Sequence, residues 1–258
     1  MDRRDKSYTQ RVKKKWDKTK ALLKSRSMRR YVPRTKKLTS GRLYSMLRKY
    51  GMVYLKPNSG SSGKGVMRVE RSIRNGKRVY QWRWEHHRRE YGSFRELYRG
   101  LRRYTSRKPY LVQRGIHTLR HRGRVTDLRV MVQVSPRGRW ETTGIIARIA
   151  HRSKVITNRS GGGSIMKAGQ LFKQHMSKKS AYRLLGRLDR LGVRIARQLT
   201  KTYPGMKEIG ADIALDRNRR PWILEVNSTP VVKLFGQLGD RSMYRKIVRY
   251  GRAYGRKF

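Results

Sequence analysis

Residues Ile209–Pro230 read IGADIALDRNRRPWILEVNSTP. Ile209, Ala211, Ile213 and Leu215 alternate with Gly210, Asp212, Ala214 and Asp216, the period of two that marks a strand with one buried face. Asp216–Pro221 has turn chemistry, and Pro221 opens the next strand, where a missing N–H is tolerated. In that second strand Trp222, Leu224 and Val226 are expected on one face, with Ile223, Glu225 and Asn227 on the other. A hairpin then gathers Asp212, Glu225 and Asn227 on one surface. Two carboxylates and an amide oxygen form a hard, all-oxygen set that suits Mg²⁺, with Mn²⁺ as the alternative ion, together with waters and nucleotide phosphates. The other reading is a hairpin with one solvated polar face. Acidic residues number only 15 in 258, so two of them beside an amide favour the metal site.

That scarcity is one side of a large imbalance. Lys and Arg together number 68, and the formal net charge is +53. Such a field repels itself and attracts polyanions, so nucleic acid, nucleotides, acidic peptides and acidic polymers are the expected partners. Hydrophobic residues make up 36% of the chain and fall in periodic segments, which argues for a folded core. With no cysteine, disulfides, thiolate metal sites and cysteine nucleophiles are excluded. The N-terminus, MDRRDKSYTQRVKKKW, has no apolar core behind it and does not read as a secretory signal. No apolar run reaches membrane-spanning length, so a cytoplasmic protein is expected.

Along the chain, residues 1–37 read as a basic lead-in. Lys13–Lys24 is either helical, with Trp16, Lys20 and Leu23 on one face, or a solvated arm. Ser40 is the expected N-cap of a helix to Tyr50, ended by Gly51. Met52–Lys56 and Val66–Glu70 are expected strands flanking the loop Pro57–Gly65. Asn75–Gly76 is a hairpin signal before the strand Arg78–Trp84. Ser93 caps a helix through Arg103, and Tyr110–Ile116, Thr126–Val134 and Glu141–Ala150 are further strands. Lys178–Tyr203 is the longest helical pattern, with an apolar stripe through Leu184, Leu185, Leu188, Leu191, Ile195 and Leu199. A basic tail runs from Arg241. Hairpins interspersed with helices predict an α+β fold with largely antiparallel sheet.

The loop PNSGSSGKG after Lys56 offers backbone N–H groups and serine hydroxyls to an anion. It is neither a Walker A loop, which needs Gly at Asn58 and Ser or Thr at Gly65, nor a dinucleotide fingerprint, because Arg68 stands where the third glycine belongs. The segments VYLKPNSGSSGKGVMRVE, YLVQRGI, DLRVMVQ, TGIIARIA, the N…GGG loop and IGADIALD…WILEVNSTP resemble, in this order, the nucleotide-binding motifs of the ATP-grasp superfamily. Their wording is most similar to the YheC/YheD family of endospore coat-associated proteins, and the similarity runs from about Trp16 to nearly the C-terminus.

The resemblance implies two α+β lobes enclosing an ATP cleft, spanning 38–240, with 1–37 as a reduced pre-grasp region and 241–258 as a tail. It implies phosphate-binding lysines at Lys56 and Lys18, and a closing loop over Ser59, Gly60, Ser61, Ser62, Gly63, Lys64 and Gly65. Backbone groups of Gln113, Arg114, Gly115 and Ile116 would bind adenine in the hinge. Arg129 and Arg148 would stabilise the transferring phosphoryl group or the bound acid, and Asn158 with Gly161–Gly163 would line the cleft. Asp212, Glu225 and Asn227 would hold Mg²⁺. A common ribose-binding acidic position is occupied here by His117.

The implied activity is ATP-dependent ligation of a carboxylate to an amine or similar nucleophile through an acyl phosphate, with a spore-coat association as the implied setting. The contrasting expectation is a basic structural or polyanion-binding protein that keeps the fold without turnover. His117 and His121 stand four apart at a strand end, a spacing that does not place them on one face. No GxSxG elbow, HEXXH pair or kinase catalytic loop occurs.

Overall fold

The computed structural model describes residues 8–60, 63–85, 87–151 and 163–258. The chain begins with α1 (Lys15–Leu23), α2 (Arg26–Arg29) and β1 (Thr35–Lys37). Next come α3 (Ser40–Tyr50), β2 (Met52–Pro57), β3 (Met67–Arg74), β4 (Lys77–Trp84), β5 (His87–Tyr91), α4 (Phe94–Thr105) and β6 (Tyr110–Arg114). The remainder holds β7 (Arg120–His121), β8 (Arg124–Val134), β9 (Trp140–Ile149), β10 (Ser164–Lys167), α5 (Ala168–Lys173) and α6 (Lys178–Thr200). The hairpin β11 (Glu208–Leu215) and β12 (Pro221–Asn227) follows, and α7 (Ser242–Ala253) closes the chain. One sheet has the order β1-β6-β2-β3-β4-β5 and the other β10-β9-β8-β11-β12, with β7 paired to β8. Their ladders are antiparallel, as the α+β expectation required.

Local chemistry explains the boundaries. The Thr39 hydroxyl accepts from the Arg42 N–H and caps α3, so the cap lies one residue before the expected Ser40. Ser93 and Glu96 form a reciprocal capping box on α4. Asn75 and Gly76 both adopt positive φ, 49° and 70°, as a two-residue turn between twisted strands requires. β5, HRREY, has no apolar alternation and was not expected as a strand; it is an exposed edge strand whose charges discourage further pairing.

Two cores result. In the first lobe α3 and α4 cover one face of the sheet, burying Leu43, Leu47, Val53, Val69, Tyr80, Trp82 and Leu97. In the second, the α6 stripe packs on Val130, Val132, Ile209, Ala211 and Ile213. A Cβ on Gly192 would meet Val130 Cγ1 at 2.9 Å and Val132 Cγ2 at 3.0 Å, so only glycine allows α6 to approach that closely. Each fully buried leucine of the stripe contributes about 1.5–3 kcal/mol. No helix among the described residues is long and apolar enough to cross a membrane.

The two basic ends are integral to this packing. β1 pairs with β6, and Ala21, Leu22 and Met28 enter the core beneath α6. The helical alternative for Lys13–Lys24 holds, and the buried face of α1 is Lys18, Ala21 and Leu22, because this helix packs between β12 and α6. At the other end Arg256 donates to both oxygens of Glu208, at 2.8 and 2.6 Å, and the hydroxyls of Tyr8 and Tyr254 donate to the same carboxylate. Glu208 is fully buried, and burial pushes its pKa up despite the adjacent guanidinium. Arg256→Met leaves that carboxylate without its cation. Urea denaturation at pH 7 should show a loss of about 3–5 kcal/mol. The loss should shrink toward acidic pH, where Glu208 takes up a proton; a loss below about 1 kcal/mol at pH 7 would refute this role.

Candidate functional site

The two sheets meet where β12 departs from a regular strand. Asp212 lies opposite Glu225 and Ile213 opposite Ile223, so Leu224 is an extra residue, a β-bulge. The bulge breaks the simple alternation expected from the sequence. Val226 joins Ile223 on the α6 side, while Trp222 and Leu224 sit with Ala214 and Ile116. It also turns the Leu224 carbonyl toward the first lobe, where it accepts from Lys56 Nζ at 3.4 Å and Gln113 Nε2 at 3.3 Å. Lys56 Nζ donates to Gln113 Oε1 at 2.6 Å, and Gln113 Nε2 donates to Thr35 Oγ1 at 3.1 Å. β1, β2, β6 and β12 are thereby tied at one point.

Beside this point lies a cluster of buried ions. The hairpin places Asp212 and Glu225 side by side with Asn227 two residues on, opposite Gly210. Arg129 Nε donates to Asp212 Oδ1 at 2.6 Å and its Nη2 to Oδ2 at 3.2 Å. Arg148 reaches the same Oδ2 at 3.2 Å and holds Asp127 with two bonds of 2.7 and 2.6 Å. Gly210 makes room, since a Cβ there would meet Arg129 Cδ at 3.2 Å and Pro230 Cβ at 2.7 Å. Burial alone would raise the Asp212 pKa, but Arg129 and Arg148 outweigh it and hold the carboxyl below its usual range. Burial likewise opposes the charge on Arg148, and Asp127 with Asp212 reverses that effect. Asp127 was not singled out in the sequence; TDLRV puts it on the Arg129 face by alternation, and the rarity of acids was the available signal.

The cleft between the lobes is open to solvent, and Lys15, Lys18, Thr35, Lys56, Gln113 and Glu225 are among the residues that line it. Lys18 is buried, with Nζ donating to the Val12 carbonyl at 2.8 Å, and burial pushes its pKa down to about 8. Burial also lowers the Lys56 pKa, against the opposing charge of Glu225. Lys15, another residue the sequence did not mark, places Nζ 3.2 Å from Glu225 Oε1 and donates to the Gly60 carbonyl at 2.6 Å. Asn58 accepts from the N–H groups of Lys15 and Trp16, so the start of α1 is docked on the glycine-rich loop.

Other expected residues fall around this cleft. Ser59 and Gly60 follow β2, and Gly63, Lys64 and Gly65 form a turn before β3; Ser61 and Ser62 lie outside the described residues. Asn158, Gly161 and Gly162 lie outside them as well, and Gly163 immediately precedes β10. In the hinge, the N–H groups of Arg114 and Gly115 already donate to the Arg34 and Met52 carbonyls, at 2.8 and 2.9 Å. Those two donors are therefore not open to a ligand. His117 is exposed.

The donor set was compared with the needs of a divalent ion. Glu225 and Asn227 supply oxygens from one strand face, beside a cation position now filled by the Lys15 ammonium. Asp212 fits less freely than expected: three donors already use its oxygens, leaving about one lone-pair direction of four. The residues thus fit a hard cation centred on Glu225 and Asn227, with Asp212 held at its edge by two arginines.

Comparison with known proteins agrees with this architecture. The sequence model of the family described as YheC/D-like ATP-grasp matches residues 4–258. The endospore coat-associated protein YheD of Bacillus subtilis (strain 168) is 22% identical over 229 residues, 86% of this chain and 49% of that protein. YheC of the same organism is 24% identical over 201 residues, 78% of this chain and 55% of its own length. The chain thus spans about half the length of the curated relatives it matches. Among solved structures, the ATP-grasp ligase PsnB complexed with minimal precursor is 14% identical with a TM-score of 0.50, covering 92% of this chain and 60% of that one. An N5-carboxyaminoimidazole synthase from Aspergillus clavatus, in complex with ADP and 5-aminoimidazole ribonucleotide, has 11% identity and a TM-score of 0.50, covering 87% and 46%. These likenesses are to the fold.

Lys18 makes a testable contribution to stability. Its folded pKa of about 8 lies below the ordinary 10.5, so between these values the unfolded chain holds a proton that the folded chain does not. Stability conferred by this position therefore rises with pH across that window. Urea titrations of the wild type and Lys18→Met at pH 7, 8, 9 and 10 should show their difference shifting in favour of the wild type as pH rises. A constant difference would refute the assignment.

Proposed function

Because the chain belongs to the YheC/D-like ATP-grasp family, we propose that it binds Mg²⁺–ATP between its lobes and acts as an ATP-dependent carboxylate–amine ligase. The observation that carries this reading is the meeting of half-buried Lys56 with Gln113 and the Leu224 carbonyl, next to Glu225, in the inter-lobe cleft. Two lysines with pKa values lowered by burial lack a full complement of carboxylates, and phosphate oxygens would supply it.

In this reading the base lies against the Ile116–Leu224 wall, with the Arg114 carbonyl and the Ile116 N–H as its polar partners. Lys56 and Lys18 hold the phosphates, and the Ser59–Gly65 segment closes over them. Glu225 and Asn227 would hold the metal ion, which would screen charge on the phosphates. Lys15, which pairs with Glu225 and the Gly60 carbonyl, would give up that ion pair. A substrate carboxylate oxygen attacks the γ-phosphorus as the β–γ bridging bond breaks, releasing ADP and forming an acyl phosphate. An amine or similar nucleophile then attacks the acyl carbon, losing a proton as inorganic phosphate leaves. Arg148 and Arg129, oriented by Asp127 and Asp212, face the phosphoryl oxygens as their charge rises. Closure keeps water from the acyl phosphate.

The alternative, a basic scaffold retaining the fold, has one observation in its favour: both site acids are already neutralised by the chain's own cations. Calorimetry with nuclease-treated, high-salt-purified protein separates the two readings. Micromolar Mg²⁺-dependent ATP binding is expected, and it should be lost in Glu225→Gln and Lys56→Ala. No binding by folded wild type would overturn the ligase reading and leave the scaffold. Above about pH 8 the folded protein must take up a proton at Lys18 to bind phosphate, so affinity should fall by up to about tenfold per pH unit. Lys18→Arg should flatten that dependence; an unchanged slope would remove Lys18 from the phosphate site.

A further inference from the structure

The face of the first sheet turned away from α3 and α4 carries a row of arginines that the nucleotide site does not use. Arg68 on β3 lies directly opposite Arg83 on β4, which lies opposite Arg88 on β5. On its other side Arg68 faces Tyr54 of β2, itself opposite Gln113 of β6. Directly opposed residues share a face, so a single row runs Gln113–Tyr54–Arg68–Arg83–Arg88 across five strands. Lys56 lies two residues from Tyr54 on the same face, which places the inner end of the row at the phosphate lysine.

Like charges opposed in register destabilise a sheet, and three in succession do so twice over. The row is also incompletely matched. Arg68 Nη2 meets Glu70 Oε1 at 2.6 Å and Arg88 Nη2 meets Glu90 Oε1 at 3.1 Å. Between them Arg83 reaches only the amide oxygen of Gln81, at 3.5 Å. Arg68 Nε and Arg83 Nε are buried without a hydrogen-bond partner. A buried donor with no acceptor is costly, and a bound acceptor removes the cost.

We propose that this row docks an acidic peptide segment, its carboxylates lying across β3–β5 and its inner end reaching the Lys56 site. The role of that inner carboxylate as the group activated rests on the ligase reading; the docking does not. Carboxylates are favoured because guanidinium groups can grip them in planar, two-bond forks, and Glu70 and Glu90 already meet the ends of the row, each through one such bond. Nucleic acid would draw on aromatic stacking platforms; Tyr80 and Trp82 are buried on the opposite face, and Tyr54 is the one aromatic in the row.

The probe is fluorescein-labelled decaglutamate, followed by anisotropy with the full chain at about 0.15 M salt. Arg68→Gln/Arg83→Gln/Arg88→Gln should weaken binding at least about tenfold. Arg183→Gln/Arg187→Gln/Arg190→Gln removes three exposed charges from α6 and should change it by less than about twofold. Equal loss in both variants, or no binding by the wild type, overturns the proposal. An oligothymidylate of equal length that binds more tightly and depends on the same three arginines assigns the row to nucleic acid instead and overturns it as well. Because the opposed charges repel, the row variant should melt no lower than the wild type, and decaglutamate should raise the melting temperature of the wild type alone. Should the triple variant fail to fold, Arg83→Gln alone leaves both existing ion pairs in place and must still weaken binding. ATP calorimetry in parallel distinguishes the two failures: loss of ATP binding by the wild type sinks the ligase reading while the peptide result stands.

Discussion

Asp127, Asp212, Arg129 and Arg148 meet on one buried face of the second sheet, and the placement of the cleft depends on their mutual neutralisation. Any one of them alone would be a buried, uncompensated charge, destabilising by several kcal/mol. Together they fix the relative positions of β8, β9 and β11 on the side that faces the first lobe. Glu225 then stands beside Asp212 by register, with an ion pair of its own to Lys15. With only 15 acids against 68 basic residues, carboxylates at such positions balance the interior while the surplus positive charge stays outside.

The second constraint is that the lobes share an anchor without sharing a sheet. Lys56 and Gln113 belong to the first sheet, and the carbonyl they reach belongs to the second. A buried ammonium needs acceptors, and here they come from both lobes, so the distance between the lobes and the burial of Lys56 are coupled. The docking of α1 on Asn58 and Gly60 adds a third contact from a segment that lies before both sheets in the chain. The cleft lies where residues of the two sheets and of α1 come together.

Much of this was legible in the sequence. Alternation located β11 and β12 and put Asp212, Glu225 and Asn227 on one surface, and the ordered motifs carried the family. The apolar stripe of α6 followed from its period. What could not be read has a physical reason in each case. Among so many arginines, nothing local says that Arg129 and Arg148, rather than neighbours in other strands, close on Asp212; that is decided by sheet order. Lys15 meets Glu225 across more than two hundred residues, and its own neighbours are equally basic. β5 has the composition of a solvated loop and becomes a strand only because β4 offers it an edge. The Leu224 bulge leaves no mark in composition, since a leucine fits either a regular strand or an extra residue.

That bulge has a consequence for how the chain tolerates insertions and deletions. A period-two pattern has a phase, and Leu224 shifts it by one place: Glu225 and Trp222 lie on the same side although they are three residues apart. Removing Leu224 would restore an unbroken ladder, with Ile223 still opposite Ile213 and Glu225 still opposite Asp212. The hairpin, its core face and its carboxylates would all keep their places. Only the carbonyl that Lys56 and Gln113 share would disappear. One residue therefore separates the ability to fold from the mechanical coupling of the two halves, and the frame of this strand carries information that its individual side chains do not.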